Sequence, residues 1–474
     1  MALPKQSQDF PAWYQEVVKQ ADLAENSLAR GTMVVKPYGW AIWERIQAAF
    51  DERIKATGHE NLQFPLFIPY RLIEREAEHI EGFAPEIAVV THAGGEKLEE
   101  PLVVRPTSET IIWDTYAKWV QSYRDLPLLY NQWCNVVRWE LRPRLFLRTT
   151  EFYWQEGHTA HETAEEAIAE TRMILTEVYR DVMERVIGLA IRPGRKTAAE
   201  RFPGAVETFT CESLMRDGKA LQGGTSHYLG QNFAKAYGVQ FQSREGDLEY
   251  AYATSWGAST RLVGALIMAH GDDQGLRLPP ALAPFQVVIV PIYRSEDERA
   301  RTVEAAEKLV AELAGLRVKI DDREEHRPGY KFNEWEQKGA PVRIELGPRD
   351  LDAGQATVAR RDTKEKAPVP LQSVGEHIRG LMDEIQANLR GEAEAFTEEH
   401  TIRPADYAEM RAFLEASGGF AVGNWCGRSE CEAQVKQETK ATIRYLPVDP
   451  VAVEGRCIVC GEPAAEEAAW ARAY

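Results

Sequence analysis

Four arginines, Arg138, Arg142, Arg144 and Arg148, fall within eleven residues of the stretch "RWELRPRLFLRTTEF". A guanidinium stays charged near neutral pH and presents paired N–H donors that match phosphate or carboxylate oxygens. Apolar runs on either side predict two strands joined by a loop. Arg138 then closes the first strand, Arg142 and Arg144 occupy the tip, and Arg148 opens the return strand. Such a hairpin brings Arg138 and Arg148 together at its base, where they can hold a polyphosphate. It offers Arg142 and Arg144 to a second anion. Phe152, further along the return strand, supplies a ring on which a nucleobase can stack. On spacing alone a solvated charged loop explains the same arginines, and a core position explains a lone strand phenylalanine.

The rest of the chain makes this concentration of positive charge unusual. Its 474 residues carry 73 Asp+Glu against 56 Lys+Arg, a formal charge of −17. That argues against a general nucleic-acid coat but leaves room for a local anion site, because binding follows patches and not sums. Hydrophobic residues make up 44% and charged residues 27%, ordinary globular proportions with core material for about two to four domains. No apolar run reaches the roughly 18 residues of a membrane span, and the N-terminal segment lacks a signal-peptide core. The expectation is a cytoplasmic protein with no membrane partner.

Other residues bear chemistry of their own. Thr107, Glu109, Glu156 and His158 are read at strand ends or turns, where a carboxylate can receive a substrate ammonium; for each alone, a surface or capping role is the plainer reading. "QGGTSH", Gln222 to His227, pairs glycines that permit close backbone approach to a ligand, though a turn explains them equally. It lacks the GxxxxGK[ST] pattern of a phosphate-binding loop. Arg261 follows "TSWGAST" at a predicted helix start, where helix N-terminus and guanidinium together favour an anion. Cys134 and Cys211 stand alone. Cys426 and Cys431 are separated by four residues, Cys457 and Cys460 by two, and the pairs by 25. That spacing fits a closed, structural tetrahedral Zn²⁺ site; disulfides or free thiols are the alternatives, and a cytosolic setting disfavours disulfides.

Periodicity supplies the frame. Residues 1 to about 60 read as helices, the first with Ser7 or Asp9 as cap. Residues 87 to 158 read as short strands in hairpins, interrupted by a helix capped by Thr107 or Ser108. A long amphipathic helix follows at 163–188. Pro279, Pro280 and Pro284 mark a linker. Beyond it strand and helix alternate, which predicts a small α/β domain with a mostly parallel sheet. A charged helix at about 374–400 leads into the cysteine tail.

Together these segments resemble the class II aminoacyl-tRNA synthetases, and closely the prolyl family of the short archaeal/eukaryotic-like type. "ENLQFPLFIP" resembles motif 1, with Pro65 as its proline. "VVRWELRPRLFLRTTEFYWQEGH" resembles motif 2, and "TSWGASTRLVGALIMAHGDDQGLRLPP" motif 3. "RPTSET" resembles the amino-acid-binding loop of the class IIa members. The resemblance runs from near residue 7 to the end, and a chain ending in Tyr474 suits it. It implies an α+β catalytic domain on an antiparallel sheet (1–278), an α/β anticodon-binding domain (285–385) and a small zinc-binding C-terminal α/β domain (400–474).

The resemblance also implies roles. Arg138 and Arg261 are catalytic. Thr107, Glu109, Arg138, Trp154, Glu156, His158, His227 and Ser255 bind L-proline. Arg138, Glu140, Arg148, Thr149, Phe152, Gln222, Thr225 and Arg261 bind ATP, with Mg²⁺ bridging the phosphates. Arg142 and Arg144 meet the acceptor end of tRNA(Pro); Phe332, Glu336, Arg343 and Arg349 meet its anticodon. Cys426, Cys431, Cys457 and Cys460 hold structural Zn²⁺. Tyr474 directs its carboxylate toward the active site. Motif 1 implies a homodimer. Only 63 residues, Thr159 to Leu221, separate motif 2 from "QGGTSH", too few for the editing domain that the bacterial-type enzyme inserts there. Two other readings fit less well. A threonyl enzyme would place a catalytic zinc in its pocket, and a synthetase-like binding protein would have lost motif arginines or its anticodon domain.

Overall fold

The computed structural model describes residues 3–74, 87–416 and 418–474. Helix α1 (Phe10–Gln20) starts at Asp9, whose carboxylate accepts the Ala12 N–H at 2.9 Å, one of the two expected caps. Helix α2 (Pro37–Ala56) turns Ile42, Trp43, Ile46, Phe50 and Ile54 inward, an apolar stripe at helical spacing.

These helices pack on a seven-stranded sheet. Its strands are β1 (Glu60–Asn61), β2 (Leu128–Val137), β3 (Glu151–His161), β4 (Ile191–Arg195), β5 (Glu207–Leu214), β6 (Ala220–Gly230) and β7 (Tyr252–Ser259). Their order is β1-β2-β3-β7-β6-β5-β4, antiparallel except for the parallel β1–β2 edge. Strands 67–69, 88–93 and 96–104 form a separate three-stranded sheet, so the β-rich region read from sequence is divided between two sheets.

Helix α3 (Glu109–Trp119) begins after Ser108 as expected, but the Ser108 hydroxyl does not cap it. It donates instead to Glu156. Helix α4 (Ala164–Met173) continues through π-helical turns to Val186 along the rear of the sheet, where Tyr179 donates to Gln155 Oε1 at 2.9 Å. This contact explains the paired glycines. "QGGTSH" is the middle of β6, not a turn. A Cβ on Gly223 would lie 2.8 Å from the Met183 sulfur, and one on Gly224 3.0 Å from the Tyr179 ring. The glycines let helix and sheet approach. Helix α5 (Arg261–His270) is buried at every residue after Arg261.

Beyond the proline segment lie β8 (Val287–Pro291), α6 (Glu296–Glu312), β9 (Val318–Ile320), α7 (Pro328–Gln337), β10 (Val342–Leu346), β11 (Gln355–Arg360), β12 (Lys366–Pro370) and α8 (Val374–Glu399). The sheet order is β9-β8-β10-β11-β12. It is mixed and not mostly parallel: β8 pairs parallel with β9 and β10, whereas β10–β11 and β11–β12 are antiparallel. The difference lies in the chain after Leu346, where short connections return it as a meander without a crossover helix.

The last part holds β13 (Thr401–Ile402), β14 (Phe420–Trp425), α9 (Ser429–Thr439), β15 (Thr442–Tyr445) and β16 (Glu466–Ala471), ordered β13-β14-β16-β15. Charged pairs tie the parts together. Arg361 grips Asp272 at 2.6 and 2.9 Å, and Arg277 grips Glu392 at 2.6 and 3.1 Å. No helix among the described residues is long and apolar enough to cross a membrane.

Candidate active site

The site follows from strand register. Alternate residues of β3, Phe152, Trp154, Glu156 and His158, share one face of the sheet. His158 pairs across β7 with Ser255, Ser255 with His227 of β6, and His227 with Thr208 of β5. Glu156 likewise lies in line with Gly257 and Thr225. Residues far apart in sequence thus form two adjacent rows. Glu156 and His158 were expected at strand ends or turns. They lie inside the strand, and that interior placement orients them.

These rows floor a cavity of about 100 Å³, also lined by Thr107, Glu109, Arg138 and Trp154. Glu156 is buried among donors: Ser108 N–H at 3.2 Å, Gln132 Nε2 at 2.6 Å, the Ser108 hydroxyl, and His158 Nε2 at 2.9 Å. Burial alone would raise its pKa, but these hydrogen bonds and the His158 charge outweigh it and hold the carboxylate well below its usual range. Burial pulls His158 down, while Glu156 and Glu109 pull harder and leave it raised. His227 is pushed down to about 3, by burial first and then by the charges of His158 and Arg138, so it is neutral. Thr107 donates to Glu109. Ser255 Oγ and His158 Nδ1 are buried with no hydrogen-bond partner among the described residues, as expected of polar atoms that await a ligand. A Cβ on Gly257 would lie 3.2 Å from the Trp154 ring, so glycine keeps this part of the cavity open.

A larger cleft of about 420 Å³ opens from this cavity and brings Arg138, Arg148 and Arg261 together with Phe152, Gln222 and Thr225. A side chamber of about 190 Å³ adds Glu140 and Thr149. Arg138 donates to the Pro106 carbonyl at 2.9 Å and lies 5.2 Å from the Trp154 ring and 5.6 Å from that of Phe152. Arg261 donates to the Leu147 carbonyl at 3.2 Å. Burial and the charges of Arg148 and Arg138 push Arg261 down to about 10, so it remains a cation. Three guanidiniums that repel one another around one space call for an anion there.

The hairpin differs in one respect. Arg148 does not open the return strand, which starts at Glu151; it lies in the loop, where Arg144 and Arg148 pair backbone to backbone. Phe146 adopts φ +63° between them and, with Leu147, buries its side chain. The loop therefore folds back before the strand begins. Arg148 is left half-exposed, 3.5 Å from Glu140. Arg142 and Arg144 project into solvent as expected.

In the second part, Arg343 is buried between Glu336 at 3.1 Å and Glu345 at 2.9 Å, 4.5 Å from the Phe332 ring. Glu336 and Arg343 line a cavity of about 120 Å³ with Arg360, Arg361 and Lys366. Arg349 is exposed in a short helix (Pro348–Asp352) and does not line it. In the tail, the sulfurs of Cys426, Cys431, Cys457 and Cys460 lie within 4.8 Å of one another.

Full-length relatives share this sequence. A proline–tRNA ligase of Cytophaga hutchinsonii is 52% identical over all of this chain and 99% of its own. One from Prosthecochloris aestuarii is 54% identical over 98% of both chains. The chain belongs to the prolyl-tRNA synthetase family. Three family models divide the synthetase: the class II core domain (G, H, P, S and T) at 92–270, an anticodon binding domain at 286–381, and the prolyl-tRNA synthetase C-terminal domain at 407–474. The solved prolyl-tRNA synthetase of Cryptosporidium parvum, complexed with halofuginone and AMPPNP, superposes with a TM-score of 0.95 at 38% identity, covering 99% of each chain.

Several cleft residues of this synthetase carried no signal in the sequence. Arg201 and Phe202 reach it from the loop after β4, and Arg444 from the C-terminal part, where Tyr474, expected from the resemblance, also lines the cleft. Phe202 lies on His227 with ring centroids 4.6 Å apart. An arginine beside a phenylalanine in "ERFPGA" has no periodic neighbour to reveal its direction.

Proposed function

We propose the following division of labour for proline–tRNA ligation in this chain. The small cavity holds L-proline. Glu109 and Thr107 receive its ring ammonium, Trp154, Glu156 and His158 shape the walls, and His227 and Ser255 complete the floor. Proline's carboxylate then points toward Arg138. ATP occupies the cleft with its purine on Phe152, opposite Arg261. Glu140, Thr149, Gln222 and Thr225 serve its base and ribose, and Arg148 and Arg261 its outer phosphates. Bound Mg²⁺ would offset phosphate charge in the same space as Arg148 and Arg261.

The carboxylate oxygen of proline attacks the α-phosphorus, the bond to the β-phosphate oxygen breaks, and pyrophosphate leaves. No protein nucleophile takes part. The residues align the reactants and offset charge that builds on the phosphoryl oxygens. In the second step the terminal ribose hydroxyl of tRNA(Pro) attacks the prolyl carbonyl and releases AMP. The exposed Arg142 and Arg144 meet the acceptor end. Phe332, Glu336 and Arg343 read the anticodon, and Arg349 contacts its flank.

The observation that carries this assignment is the convergence of Arg138, Arg148 and Arg261 on one cleft that opens into a cavity lined by Glu109 and Glu156. The test is ATP–pyrophosphate exchange with proline, alanine, cysteine and threonine in parallel. Proline should support the fastest exchange at limiting concentration. Alanine should follow, because each missing methylene gives a pocket only about 1–3 kcal/mol of discrimination. Threonine above proline would overturn the assignment.

The four cysteines fit structural Zn²⁺. Cys426 lies 3.6 Å from Cys431 and 3.7 Å from Cys460. Zn–S bonds of about 2.3 Å in a tetrahedron set sulfurs about 3.8 Å apart, and a disulfide would set them at about 2.05 Å. The short architecture is supported by the 63 residues between Thr159 and Leu221, which build helix α4 and strands β4 and β5. The Cytophaga and Prosthecochloris relatives are bacterial, so short type denotes architecture and not descent. A cytoplasmic homodimer completes the reading. Sedimentation should give a dimer, and a fully active monomer would refute it.

A further inference from the structure

The segment from Lys196 to Val206 runs between the C-terminal part and the proposed proline cavity. Its inner side is the roof of that cavity. Phe202 lies on His227, and the Phe202 N–H donates to Thr208 Oγ1 at 3.2 Å, the same hydroxyl that meets His227 Nδ1 at 2.9 Å. Its outer side is held from the C-terminal part. Thr197 donates to Glu432 at 2.8 Å. Glu200 lies 3.6 Å from both Lys436 and Arg444. At the root of the segment, Lys196 reaches Glu212 at 2.8 Å and the Arg444 carbonyl at 2.9 Å, and Arg444 grips Glu212 at 3.0 and 3.2 Å. Lys196, Glu212 and Arg444 are all buried. A buried ion cluster tolerates loss of one member poorly, because the remaining charge is left unpaired.

We propose that Arg444 of the C-terminal domain is a positioning residue for the amino-acid pocket, acting through Glu200 to set Phe202 over His227. The cleft draws its roof from one domain and the anchor of that roof from another. Arg444 has no assigned contact with proline; its influence passes through Glu200 and the main chain of the segment. The inference rests on the reading of this cavity as the proline site.

Glu200 gives the cleaner test, since it is only half-buried and its replacement by glutamine preserves shape. Glu200→Gln and Arg444→Lys should each raise the KM for proline in pyrophosphate exchange by roughly tenfold, several times more than the KM for ATP, although both residues also line the nucleotide cleft. In a Phe202→Ala background Glu200→Gln should add nothing, because its effect passes through Phe202. A purely structural role would lower the thermal midpoint without separating the two KM values. An unchanged proline KM with intact folding, a rise in the ATP KM instead, or full additivity with Phe202→Ala would each overturn the proposal. Absence of proline-dependent exchange in the unmodified enzyme would instead defeat the underlying assignment of the cavity.

Discussion

Arg138→Ala is expected to lower proline-dependent pyrophosphate exchange by about 10²–10³-fold, the loss found when one preorganised donor to a developing oxyanion is removed. Arg138 sits where the small cavity meets the cleft and lines both. It is the group placed to meet proline's carboxylate and the α-phosphate together, so the defect should fall on kcat as well as on both KM values. Lysine should recover little of it, because one ammonium cannot reproduce two parallel N–H donors. The fold should survive, since the guanidinium donates to the Pro106 carbonyl and lies over two rings at the mouth of the site, outside the buried core. A thermal midpoint near that of the unmodified protein with exchange reduced as stated confirms the role; undiminished exchange removes it.

Loss of the tail metal is expected to have the second largest effect, and on stability. Apparent zinc-binding free energies in small four-ligand peptides are about 10–16 kcal/mol. The C-terminal domain has its own core, with Met410, Leu414, Trp425, Val435, Ile443 and Trp470 buried, so removal should cost part of that figure. Cys431→Ser, or strong chelation, should release about one zinc per chain. It should open the segment beyond Glu399 to proteolysis and lower the thermal midpoint markedly. Exchange at saturating ATP and proline, read before proteolysis, should fall less than stability, because the four cysteines stand outside the cleft and only Arg444 and Tyr474 of that domain line it. An equally stable protein free of metal would exclude a structural zinc.

The arginine-rich hairpin, the helix start at Arg261 and the cysteine spacing were legible in the sequence because each is a local pattern. What escaped was set by long-range pairing. The alternation of Phe152, Trp154, Glu156 and His158 is visible in the sequence, yet its partners Ser255 and His227 are chosen by strand register. Arg148 was read one element too late, because a positive φ at Phe146 and the burial of Phe146 and Leu147 turn the chain before β3. The paired glycines of β6 were open to two readings, close approach to a ligand or a turn; they lie inside a strand, where they line the cleft and let Tyr179 and Met183 pass behind the sheet. Arg444 gave no signal, since its partners Lys196 and Glu212 lie more than two hundred residues earlier.

The central claim concerns where charge meets charge, and a structure of the enzyme with a nonhydrolysable ATP analogue and proline tests it most directly. The expected result places the α-phosphate within hydrogen-bond reach of Arg138, the outer phosphates on Arg148 and Arg261, the purine on Phe152, and the proline ring between Glu109 and His227. A nucleotide bound elsewhere, or a triphosphate that touches none of the three guanidiniums, would contradict it.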